Sequence, residues 1–231
     1  MGRSLRRIKK LAAAAAVLLC VAAGLLGLDT DGDRTQTAVE IPAYSGEAVI
    51  ELAKNQPGFT TDELTTEAFE AYSSLDWLGR CGTAYANVCR ELMPTEERES
   101  IGMIRPTGWQ TVRYDDLITT KYLYNRCHLI AYSLAGENAN ERNLITGTRY
   151  MNENMIPYEN EEADYVGETD GHVLYRVTPV FEGENLLASG VEMEAMSVED
   201  AGESVSFHVF VYNVQPGVEI DYATGDNQRA E

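Results

Sequence analysis

The 231-residue chain is 44% hydrophobic and 24% charged, an ordinary globular composition with enough apolar residues for one domain with a proper core. A formal net charge of -19 and a pI near 4.5 argue against a general polyanion coat protein, which carries a basic face. Four cysteines are too few for a disulfide scaffold in a chain this long.

The chain opens with the basic run MGRSLRRIKK and continues into an uninterrupted apolar stretch from Leu11 to Leu28. This is the pattern of an export segment, residues 1–28. Val21, Ala22 and Ala23 offer a small-residue cleavage site, and the same stretch is just long enough to span a bilayer. A cleaved signal peptide and an N-terminal anchor, with membrane attachment through residues 11–28, both stay open. Either reading predicts an exported protein, extracellular or at the cell surface. Residues 29–43 are polar and turn-rich and read as a linker to a folded body at 44–231.

Within that body, Ala48 to Leu52 reads as a first strand, and TTDELTTEAFEAYSSLDWLGRC starts with acids in the manner of a short helix or turn. WQTVRYDDLITTKYLYNRCHLI alternates well enough for two strands around a turn at Asp115 to Thr120. Pro157, followed by Glu159, Glu161, Glu162 and Asp164, has the pattern of a helix N-terminus. GVEMEAMS alternates like a strand or loop, and HVLYRVTPVF and SVSFHVFVYNV, rich in β-branched and aromatic residues, are the clearest strands. Strands outnumber helices in a mixed order, which predicts an α+β fold on an antiparallel sheet. Cys81 and Cys89 are open to pairing in an oxidising compartment or to burial as thiols.

The densest chemistry lies in YLYNRCHLIAYSLAGENANERNLITGTRYMN, residues 122–152, where one of the three histidines sits among Asn and Arg with few carboxylates. A neutral imidazole takes a proton near neutral pH, which suits His128 to general base catalysis. An Arg holds phosphate bidentately. An amide oxygen is a hard, neutral ligand suited to Mg²⁺, which keeps most of its waters. A hydrogen-bonded histidine at a strand end accounts for His128 equally well on composition alone.

Residues 124–159, YNRCHLIAYSLAGENANERNLITGTRYMNENMIPYE, resemble the active-site region of the DNA/RNA non-specific endonuclease family, within the ββα-metal or His-Me finger superfamily. That family places Asp-Arg-Gly-His on a hairpin, then an Asn, a metal-binding Asn on the next helix, and a Glu. The similarity runs from about Tyr44 to Asn213. It implies an antiparallel core carrying a ββα-metal motif, and a hydrolase that cuts DNA and RNA with little sequence preference. His128 then matches the general base and Asn152 the direct ligand of Mg²⁺, with Mn²⁺ as an alternative ion. Asn143 matches a residue that orients base or substrate, and Glu159 the acid that organises metal-bound waters. Arg126 and Arg149 match phosphate contacts. Two positions depart from the pattern, since Asn125 stands where the family has Asp and Cys127 where it has Gly. They keep open an alternative, a catalytically silent nucleic-acid or surface-binding domain.

The charge is unevenly spread. Residues 80–150 hold nine basic and eight acidic residues, and residues 151–231 hold two basic and eighteen acidic. The cleft can therefore be electropositive in an acidic protein, with encounter strongly sensitive to salt. His172 and His208, in or beside expected strands, read as structural. Tyr122, Tyr124, Tyr132 and Tyr150 cluster around the motif and are suited either to base stacking or to packing with bonded hydroxyls.

Overall fold

β-Branched and aromatic residues at alternating positions build the main sheet, whose six strands pair antiparallel throughout. A computed structural model describes residues 41–230. In chain order its strands are β1 (Val49–Glu51), β2 (Phe69–Tyr72), β3 (Ala84–Val88), β4 (Tyr124–His128) and β5 (Leu144–Thr148). These are followed by β6 (Val173–Val180), β7 (Gly190–Ser197), β8 (Ser206–Tyr212), β9 (Val218–Ile220) and β10 (Asn227–Arg229). The sheet order is β1-β8-β7-β6-β3-β2, while β4 with β5 and β9 with β10 form separate antiparallel pairs. Two α-helices, α1 (Tyr132–Ala135) and α2 (Arg149–Thr169), complete the described elements beside short 3-10 turns. The α+β expectation and the antiparallel core hold. The GVEMEAMS segment is β7, fully inside the sheet.

β4, β5 and α2 form a strand-strand-helix unit with α1 in the β4–β5 connection, His128 opposite Leu144 at one end of the hairpin and Thr148 opposite Tyr124 at the other. The unit packs on the sheet through a shared apolar core that includes Cys127, Leu129, Ile145, Met151 and Met155 from its side and Tyr175, Val177, Phe207 and Val209 from the sheet. Tyr158 of α2 lies against Phe207, ring centroids 4.8 Å apart. Removing a buried methionine side chain such as Met155 from this layer would cost about 2–5 kcal/mol.

Three local expectations change. Pro157 does not start a helix: α2 begins eight residues earlier at Arg149, where the Thr148 hydroxyl accepts a hydrogen bond from Met151 N at 3.0 Å. Pro157 therefore sits inside α2 and offers no N–H to the Glu153 carbonyl, a loss outweighed by burial of Met151, Met155 and Val166 along the same helix. The acid-led TTDELTT segment forms only the 3-10 turn Thr61–Glu63, and the FEAY that follows is strand β2. Ahead of β4, the expected first strand reduces to one bridge, Arg113 with Tyr122.

Among the described residues no helix is long and apolar enough to cross a membrane. The expected export segment, residues 1–28, lies outside the described residues.

Candidate active site

His128 closes β4, with its ring nearly buried. Its Nε2 lies 2.9 Å from the Asn138 carbonyl, which can only accept, so Nε2 carries the hydrogen and the neutral ring keeps its lone pair on Nδ1. Burial holds the imidazole below its ordinary range, the Asn138 carbonyl opposes that shift, and the Arg98 charge adds to it. The result is an unprotonated ring at neutral pH, in one tautomer, with Arg98 Nη2 3.2 Å from Nδ1.

Arg98 was not singled out by sequence reasoning. It comes from an irregular stretch thirty residues upstream, anchored where the Tyr132 hydroxyl donates to the Glu96 carbonyl at 3.0 Å. Its guanidinium also acts on Glu159, whose carboxyl is pushed up to about 7 by burial and partly restrained by the Arg98 charge. One guanidinium thus faces both the expected base and the expected acid.

The cleft beside this pair has a volume of about 550 Å³, and its walls include Arg98, Asn125, Arg126, Arg149, Asn152 and Trp109. No Asp or Glu forms its wall, and Arg98 and Arg126, without ion-pair partners among the described residues, bring positive potential here, while Arg149 is paired with Glu153. Asn152 projects from the first turns of α2, and its side chain has no hydrogen-bond partner among the described residues. The start of that helix is clamped to the segment after β8. Thr148 N donates to Asn213 Oδ1 at 2.8 Å, Tyr150 N to Gln215 Oε1 at 3.2 Å, and Asn213 Nδ2 to the Thr146 and Ala188 carbonyls. Asn213 is fully buried, and it sets where Asn152 stands relative to the hairpin.

The remaining expected site residues divide by what they touch. Asn143 is completely buried and spends its amide on the backbone of Ile130: Oδ1 accepts from Ile130 N and Nδ2 donates to Ile130 O, each at 2.9 Å. It fixes the chain two residues past His128 and acts through position. Arg126 donates to the Ile104 and Gly102 carbonyls and stacks over Trp109, its charge centre 4.0 Å from the ring, so it pins segment 102–109 against the hairpin while lining the cleft. Arg149 pairs with Glu153 at 2.7 Å on the cleft wall.

Cys127 points into the core, buried beneath Gly147, where any side chain would overlap Cys127 Sγ and the Met151 methyl. The sulfur fits because position 147 has no Cβ. Cys81, Cys89 and Cys127 are all buried free thiols, and Cys81 donates to the Glu141 and Leu144 carbonyls. His172 and His208 pair with Glu199 and Glu192, away from the cleft, as structural histidines do. Of the tyrosines, Tyr124 is buried and donates to Gly225 O, while Tyr122 is exposed on the cleft wall.

As a test of fit, the described residues hold no cluster of three or more His, Cys, Asp or Glu of the kind that binds a metal through its side chains alone. A neutral amide oxygen without a partner at Asn152, seven residues before the partly buried Glu159 carboxyl on the same helix, is instead the kind of donor a hard ion takes while it retains its waters. The residues present fit a hard divalent ion.

A family model for DNA/RNA non-specific endonucleases matches residues 60–199, a span that contains every residue of the cleft and of the hairpin. NucA from Streptococcus agalactiae, solved with magnesium ion bound, superposes with a TM-score of 0.70 at 26% identity, over 79% of this chain and 87% of that one. Sda1 nuclease, solved with bound zinc ion, gives 0.65 at 24% identity, over 79% of this chain and 97% of that one, and bears on the fold alone. An extracellular endonuclease at 18% identity, TM-score 0.57, repeats that fold over 80% of this chain and 100% of its own. With its strand-strand-helix unit, single oriented histidine and guanidinium-lined cleft, this chain belongs to the DNA/RNA non-specific endonuclease family and is a hydrolytic nuclease.

Proposed function

We propose that the chain is a metal-dependent endonuclease that hydrolyses phosphodiester bonds of DNA and RNA with little sequence preference. His128 acts as general base and Asn152 holds Mg²⁺, or Mn²⁺ in its place. The observation that carries this reading is the contact of His128 Nε2 with the Asn138 carbonyl: it places the hydrogen on Nε2 and the lone pair on Nδ1, which can take a proton from water once Arg98 moves off it.

Each residue then has a task that follows from its contacts. Arg98, Arg126 and Arg149 offer N–H donors to phosphate oxygens, and such contacts carry no base information, hence the low sequence preference. When Arg98 turns towards a phosphate it leaves Nδ1, so arrival of substrate uncovers the base. Asn143 and Asn213 hold the two halves of the site in register from behind. A divalent ion bound at Asn152 would polarise the phosphate and stabilise the departing oxygen. Glu159, with its carboxyl at about 7, is suited to accept hydrogen bonds from waters around such an ion once ionised. The basic start and the apolar stretch 11–28 support export of the protein to the cell surface or beyond.

The test is to incubate the full chain at low salt with plasmid, linear duplex, single-stranded DNA and RNA, with Mg²⁺ or with chelator, beside His128→Ala. Ion-dependent cleavage of DNA and RNA that His128→Ala loses is the expected result. A folded chain that binds DNA but cuts nothing with any divalent ion would overturn the proposal.

A further inference from the structure

Trp77 is 77% exposed, and it is not on a floppy loop. It occupies a turn in which Gly79 N donates to Asp76 O, and Asp76 Oδ1 accepts from both Leu78 N and Arg80 N at 2.9 Å. Arg80 locks the turn to the body: it pairs with Asp76, donates to the Gly183 and Asn185 carbonyls, and stacks over Phe181 at 4.7 Å. A braced turn that holds a large indole in water gains nothing for folding, because the ring's apolar area stays hydrated. Its rigidity does suit binding, since little freedom remains to be lost.

What lies beside the turn indicates the occupant. Gly79 packs against Thr107, whose carbonyl accepts from Thr146 of β5, and Thr146 stands opposite Arg126 in the hairpin. The strip between the turn and the cleft is segment 102–109, the one Arg126 pins. It carries exposed Met103 and exposed Arg105, which has no ion-pair partner among the described residues. Arg105 is close enough to Arg126 to lower the latter's pKa. The hollow between the turn and this strip is mostly apolar, with Leu75, Met103, Ile104 and Pro106 in its wall beside Arg105 and Glu141, so Arg105 is the cation between the cleft and Trp77. Guanidiniums in a cleft with an exposed aromatic ring beyond it are how proteins hold single strands, with phosphates on the guanidiniums and a base on the ring.

We propose that Trp77 is a stacking platform for an unpaired base of single-stranded substrate lying beyond the cleft, with Arg105 contacting the intervening backbone. This rests on the nuclease reading above. A duplex keeps its bases stacked inside and gains nothing from the ring, so Trp77 favours single strands.

The experiment compares the full chain with Trp77→Ala and Trp77→Phe. Three substrates are used with Mg²⁺: polydeoxythymidine, a linear duplex, and the p-nitrophenyl ester of thymidine 5′-monophosphate, which reports on the His128 centre alone. Trp77→Ala raises KM for polydeoxythymidine by roughly tenfold, Trp77→Phe recovers most of it, and the duplex and the ester are unaffected. Binding is read separately under chelator: the chain has two tryptophans, so quenching of emission by polydeoxythymidine that Trp77→Phe loses assigns the contact to Trp77. An unchanged KM with Trp77→Ala, or quenching undiminished in Trp77→Phe, overturns the proposal, since Trp109 on the cleft wall gives its own signal in both. So does Trp77-dependent binding to anionic phospholipid vesicles without any effect on DNA, which would make the ring a bilayer contact. Failure of the nuclease reading looks different: no variant and no wild type cleaves anything, while the quenching titration still decides what Trp77 binds.

Discussion

Arg98 Nη2 lies 3.2 Å from His128 Nδ1, so a guanidinium covers the very lone pair that a general base needs. Burial is the main cause that keeps the ring unprotonated; the Arg98 charge adds to it, because a second positive charge beside it is unfavourable, and ties the state of the base to whatever else Arg98 binds.

Arg98→Gln should therefore act on the pH profile as well as on rate. Loss of the charge raises the His128 pKa, so the acidic limb of kcat/KM moves to higher pH while the plateau falls through loss of a phosphate contact. The profile on plasmid DNA between pH 5 and 9 measures both; a plateau that falls with no displacement of the limb would mean that Arg98 serves the phosphate only.

Glu159 predicts a proton linkage. Its carboxyl is pushed up to about 7, so in the metal-free protein it is mostly protonated below that pH and ionised above it. An ion whose waters need the carboxylate must displace that proton. Mg²⁺ affinity should then rise by about tenfold per pH unit below 7 and flatten above it. Calorimetric titration in buffers of different ionisation enthalpy reads the released proton, and Glu159→Gln should abolish both the release and the slope.

Asn143→Ala separates position from chemistry. It leaves the Ile130 N–H and C=O buried without partners, at about 1–3 kcal/mol each. Thermal unfolding should show Tm lowered by roughly 5–15 °C, with cleavage falling alongside. Lost activity at an unchanged Tm would instead place Asn143 in contact with the reacting groups.

Gly147 and Cys127 should be coupled. Gly147→Ala drives a methyl into Cys127 Sγ and should cost about 1–3 kcal/mol. Adding Cys127→Ala opens that space, so the double variant should be more stable than the two single losses predict when added. A denaturant-unfolding cycle measures the difference; simple additivity would show that the sulfur is not what fills the site.

Much of the site was legible along the chain because it is local. Asn125 to His128 is one strand, and Asn152 lies in the first turn of the helix that follows the next strand. β6 and β8 announce themselves by dense β-branched and aromatic runs, since a strand buried on both faces of a sheet must fill both. Pro157 misled because local chemistry marks a helix start, whereas packing of Met151 and Met155 extends α2 through it.

What the sequence by itself determined is the family motif and the antiparallel α+β frame, and it named the candidates proposed here as base and amide ligand, all through short-range patterns of side-chain type. Only the tertiary structure decided what those residues face. Arg98 reaches His128 across thirty positions, Asn213 reaches Thr148 across sixty-five, and Asn143 turns to the Ile130 backbone and away from the cleft. Contacts of that range leave no periodicity in the chain, because they are set by how the hairpin, the helix and the sheet close around a common core.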